Sequence, residues 1–118
     1  MSTSLSFEGF NAKYLTFRKA GAAVLEKGNF VSMDNNFTVK EFKAGTDIIG
    51  KCVDVRDNLV TVQVSGYMTA PIASGQKITY GYNKISLDED GKAKPSTEVN
   101  RSVFVVNLEG TKTVGFIL

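Results

Sequence analysis

The stretch NLVTVQVSGYMTAPIASG, residues 58–75, decides the fold. Val60, Val62 and Val64 alternate with Thr61, Gln63 and Ser65, the period of a strand with one face on a core and the other toward water or a partner. An amphipathic helix would space its apolar residues three or four apart. The strand carries past Gly66 and ends at Pro71, and Ser74-Gly75 turns the chain. Proline donates nothing to a ladder, so Pro71 marks an edge or a bend. Gly66, Tyr67 and Pro71 thus mark where the sheet bends.

Strand signals extend on both sides of this run. Upstream, DIIGKCVDVR places Ile49, Lys51, Val53 and Val55 on one face and Ile48, Gly50, Cys52 and Asp54 on the other, with RDNL as the hairpin turn. Residues 30–33 and 37–42 read as a second hairpin around Asp34-Asn35-Asn36, because Asp and Asn tolerate left-handed backbone angles. From Tyr14, Leu15 and Phe17 alternate with Thr16 and Arg18. AGAAVLEKG suits a short helix or a loop leading into a strand, and the second reading is preferred.

Downstream, KITYGYNKISL is a strand region interrupted by Gly81, and DEDGKAKPSTEVN is a long polar loop turning at Asp90-Gly91. SVFVVNL and TVGFIL form a closing hairpin across EGTK, and Leu118 ends against a sheet. About eight short strands at roughly ten-residue spacing predict an all-β protein. The expected form is a single compact β-sandwich or barrel of short antiparallel strands over residues 14–118. Residues 1–13 are polar with isolated Leu5, Phe7 and Phe10, and read as an extended N-terminal arm that orders when something holds it.

A chain of 118 residues suits one domain with one modest core. The net charge of +2 is evenly spread: residues 1–58 hold eight Lys/Arg and seven Asp/Glu, and residues 59–118 hold six and five. No linear basic patch points to nucleic acid. The first thirty residues lack the pattern of a secretory signal and no run approaches ~18 apolar residues. Synthesis in a cytoplasm, without membrane insertion, is therefore expected.

Catalytic equipment is sparse. There is no histidine and one cysteine, Cys52, so the usual zinc sets and an internal disulfide are excluded, and a buried, inert thiol is the expectation. DEDGK at residues 88–92 fails the calcium-loop spacing, because the twelfth position from Asp88 is Val99. A solvated hairpin turn is the preferred reading. No glycine-rich phosphate loop follows a strand and opens a helix. Carboxylate pairs such as Asp54 with Asp57 sit beside turns, where acids are common for backbone reasons. Tyr67, Tyr80 and Tyr82 lie near glycines, as in platforms on which sugars or bases stack, although aromatic cover over strand glycines explains them more simply. The phenylalanines are expected mostly in the core. No cofactor and no metal site is expected.

The order TFRKAGAAVLEKGNFVSM, FKAGTDIIGKCVDVRDNLVTVQVSGYM, ASGQKITYG, DEDGKAK and TVGFIL resembles the small capsid decoration, or cement, proteins of tailed bacteriophages, from about Thr16 to the end. The resemblance implies a non-enzymatic β-rich virion protein on the outer face of the head. Its partners would be the major capsid protein and copies of itself, commonly in trimers, with no direct contact to nucleic acid or membrane. Candidate partner contacts are then Leu5, Phe7 and Phe10 in the arm and Tyr67, Tyr80 and Tyr82 in the β domain. The alternative from the tyrosines is a carbohydrate- or receptor-binding β module of a phage tail or fibre.

Overall fold

The structure, a computed structural model, describes residues 12–118. Eleven strands and no helix occur among them: β1 (Lys13–Lys19), β2 (Val31–Asn35), β3 (Thr38–Glu41), β4 (Lys51–Arg56), β5 (Leu59–Ser65), β6 (Tyr67–Pro71), β7 (Gly81–Asn83), β8 (Ile85–Leu87), β9 (Ala93–Pro95), β10 (Val103–Glu109) and β11 (Thr113–Ile117). The protein is all-β. β1 takes in Lys13, which the sequence reading assigns to the arm.

The alternating run becomes β5, inside a five-stranded sheet of order β2-β3-β1-β5-β4. Val60 and Val62 are fully buried and Val64 is half-buried against them. The sheet curls until its outer strands meet: Phe30 bridges Lys51, Val31 N donates to Gly50 O (3.2 Å), and Cys52 N donates to Asn29 O (2.7 Å). Inside lie Val31, Val39, Cys52, Val60 and Val62, with Ala23 and Leu25 from the loop after β1. That segment is a loop that leads into β2, as preferred from the sequence, and not the short helix considered beside it.

Local geometry departs from strict alternation at three places. A bulge between Cys52 and Asp54 sets Cys52 opposite Val62 and Val55 opposite Val60, so residues expected on opposite faces share one core. The β2–β3 turn falls at Asn36-Phe37, one residue later than expected, with Phe37 at φ 52 and largely exposed. β3 also runs parallel to β1 over Arg18–Thr38 and Lys19–Val39, an exception to the expected antiparallel pairing.

At Gly66 (φ 101) the chain leaves the first sheet and enters the second, whose order is β6-β11-β10-β7. Glycine adopts this left-handed angle without a Cβ clash. The Gln63 amide donates to Ser65 O (3.0 Å) and Tyr67 O (3.2 Å) on either side of the crossing. Leu118 exchanges backbone hydrogen bonds with Gly66 and is buried, as expected for an end docked on a sheet. Pro71 ends the edge strand β6.

Part of the expected polar loop is a strand: β9 pairs with β8, and Ala93 is fully buried opposite Leu87. This ribbon and the inner face of the second sheet enclose a second core around Met68, Ile85, Leu87, Val105 and Phe116. Consecutive residues join the two cores. Phe30 and Ile48 pack in the second, whereas Val31 and Ile49 pack in the first.

Candidate functional site: an apolar row across the second sheet

The inner face of the second sheet is filled by Met68, Ala70, Val103, Val105, Val114 and Phe116, so alternation sends their neighbours outward. Registers place Tyr67 opposite Ile117, Ile117 opposite Phe104, and Phe104 opposite Tyr82. These four side chains form one uncharged row across all four strands, about 14 Å long at the usual strand spacing. Tyr67 lies across Gly115, where a Cβ would meet the ring at 2.8 Å from Cζ. Glycine at that position is the seat of the tyrosine.

The other end of the row projects furthest. Tyr82 is 78% exposed and Phe104 39%, and their rings stack with centroids 5.0 Å apart at 26°. The Asn83 amide donates to Thr79 O (2.7 Å) and Gly81 O (2.9 Å), which fixes the bend presenting Tyr80 and Tyr82. Thr69 and Asn107, both opposite Gly115, give the face a polar border.

The structure therefore brings Tyr67 and Tyr82 onto one face, with Tyr80 exposed in the bend beside it. Sequence reasoning missed Phe104 and Ile117. Among the described residues most phenylalanines are in or against the cores, as expected: Phe30 and Phe116 are buried, and Phe17 and Phe42 are half-buried against them, whereas Phe37 and Phe104 are exposed. Leu5, Phe7 and Phe10 lie outside the described residues.

Other candidate chemistry is used inside the fold. Cys52 is buried, and desolvation pushes its thiol pKa up, away from the reactive thiolate. The Asp88 carboxylate accepts the N–H groups of Asp90 and Lys92, both at 2.9 Å, and these bonds hold its pKa below the ordinary value. DEDGK is thus a hairpin turn between β8 and β9. A cavity of about 400 Å³ lies between this turn and the first sheet, with Phe30, Phe42 and Lys51 in its wall. Lys51 Nζ donates to Thr69 O (3.1 Å) and stands 5.2 Å from the Phe30 ring centre, so it ties β4 to β6. Burial lowers its pKa.

No protein-family model matches the chain, and no curated protein matches it.

Proposed function

We propose that this protein is a structural binding module that docks on the outer surface of a bacteriophage head through the outer face of its second sheet, and stabilises the shell. The uncharged row Tyr67–Ile117–Phe104–Tyr82 carries the reading. The row is half-buried at Tyr67 and Ile117 and exposed at Phe104 and Tyr82; a contiguous accessible apolar patch with a polar border is the usual mark of a protein-binding surface, and aromatic anchors supply much of the affinity at such surfaces. The phage assignment rests on the resemblance to decoration proteins. The partner is the major capsid protein, on a lattice where many identical weak contacts add through effective concentration. No catalytic step and no cofactor belong to this function.

Cosedimentation with expanded, DNA-free phage heads tests it. The wild-type protein is expected to decorate the heads, and Tyr82→Ser and Phe104→Ser are each expected to weaken decoration at least about tenfold, a loss of roughly 1.4 kcal/mol. Heads left undecorated by folded wild-type protein would sink the proposal. The exposure of Tyr82 favours a second reading, carbohydrate binding by ring stacking. Glycan-array binding that Tyr82→Ser abolishes, with no head decoration, would select it.

A further inference from the structure

β1 is paired along one side and open along most of the other. It lies against β5 from Lys13 to Arg18, whereas β3 reaches it only at Arg18 and Lys19. Arg18 N donates to Phe37 O and Ala20 N to Val39 O on the β3 side, while Lys19 N donates to Asn58 O on the β5 side. Alternation along the strand therefore turns the backbone N–H and C=O of Tyr14 and Thr16 toward the β3 side. No strand lies there among the described residues. Tyr14 is 52% and Leu15 54% exposed.

An open edge is a template for another strand, and proteins that keep such an edge solitary blunt it with proline, charge or a bulge. The segment Tyr14-Leu15-Thr16-Phe17 carries no charge and no proline, and its register with β5 is regular from Tyr14 to Arg18. Three of its four residues are aromatic or β-branched, which suits a strand.

We propose that this edge pairs with the same edge of a second copy of the chain, antiparallel about a two-fold axis through Leu15. Tyr14 then faces Thr16 of the second copy and Thr16 faces its Tyr14. Each of these pairs exchanges two backbone hydrogen bonds, and the two Leu15 side chains meet on the axis. Charge selects this register. Lys13 falls opposite Phe17, and Arg18 opposite Ala12, so no cation opposes a cation. A two-residue shift one way sets Lys13 against Lys19 and calls on the Arg18 N–H, already given to Phe37 O. The opposite shift sets Lys13 against Leu15 and separates the leucines. The interface is independent of head binding, because β1 shares no residue with the Tyr67–Tyr82 row.

Sedimentation equilibrium of the full chain, from about 10 μM to about 1 mM because the interface is small, is expected to show the mass rising from 12.8 kDa toward twice that value. Amide exchange at Tyr14 and Thr16 should slow as concentration rises. Leu15→Cys should give a disulfide-linked dimer on air oxidation, while Leu59→Cys, exposed elsewhere on the same sheet, should not. Thr16→Pro removes an N–H that serves only the second copy, and Leu15→Lys sets two cations face to face on the axis. Each should raise the dimer dissociation constant at least tenfold, and Leu15→Lys keeps the test decisive if Thr16→Pro fails to fold. The proposal is overturned by a monomer at about 1 mM, or by a dimer that Leu15→Lys leaves unchanged. It is equally overturned by protection of Tyr14 and Thr16 at every concentration, which would mean that the edge is covered within one chain.

Discussion

Replacing Gly50 by alanine should open the first sheet where it closes. Gly50 is buried just before β4, and its carbonyl accepts the Val31 N–H that joins the outer strands. A Cβ there would stand 2.5 Å from Val62 Cγ1 and 2.6 Å from the Gln63 carbonyl oxygen, whereas carbon contacts are favourable near about 3.5–4.0 Å. Val62 is fully buried and cannot swing into solvent. The Gln63 oxygen belongs to the backbone of β5, so relief requires β4 to move away from β5. Overpacking of this kind costs about 1–3 kcal/mol, and a weakened closing hydrogen bond adds about 1 kcal/mol. The stiffer unfolded chain returns about 0.4–1 kcal/mol. The net loss is about 1–3.6 kcal/mol, which at about 4 °C per kcal/mol for this size lowers Tm by about 4–14 °C. Thermal unfolding followed by circular dichroism measures it, with Gly21→Ala as the control. No atom lies within 4 Å of a Cβ at Gly21 and its φ is not left-handed, so that variant should gain about 0.4–1 kcal/mol. A Gly50→Ala protein as stable as wild type would refute the assigned closure.

Val62→Asp sets a carboxylate in a fully buried site without a partner, a change of more than about 4 kcal/mol that should abolish the cooperative thermal transition; an unchanged transition would reverse the assigned faces of β5. The three atoms nearest a Cβ at Gly115 all belong to the Tyr67 side chain, so Gly115→Ala should shift that ring and change Tm by less than the equivalent of about 1 kcal/mol while head decoration weakens. Decoration at full strength would remove Tyr67 from the contact. Asp88 has a folded pKa below its ordinary value, chiefly through the Lys92 N–H. Its contribution to stability is therefore present above the ordinary carboxylate pKa and lost as pH falls through the folded one. Urea midpoints between about pH 3 and 6 should fall less steeply for Asp88→Asn than for wild type, and parallel profiles would contradict this.

The fold class was legible because alternation and turn chemistry are local. β5 could be read directly, since every second residue of its valine run faces a core, and the β10–β11 hairpin followed from EGTK between two apolar strands. Pairing between distant segments was not legible: nothing in YLTFRKA says that it lies beside a run some forty-five residues later. The bulge in β4 was equally hidden, because inserting one residue leaves the sequence pattern intact while changing which side chains meet the core. At the site, Phe104 had a usable signal. Val103 and Val105 point inward, so the phenylalanine between them must point out, and period should have outweighed residue type. Ile117 and the seat of Tyr67 on Gly115 depend on the register of β11 with two other strands, which local pattern does not specify.

The crossing at Gly66 connects these results. A straight continuation of β5 would keep Tyr67 on the first sheet. The left-handed angle at Gly66 instead delivers Tyr67 to the edge of the second sheet, and the Gln63 amide and the Leu118 backbone hold that geometry from both sides. The row across the second sheet therefore depends on a hydrogen-bonded corner as much as on its four side chains. Weakening the corner by Gln63→Ala removes both amide bonds without touching the row. Decoration should then fall even though Tyr82 and Phe104 remain stacked, whereas binding that survives a displaced Tyr67 would confine the contact to the Tyr82–Phe104 end.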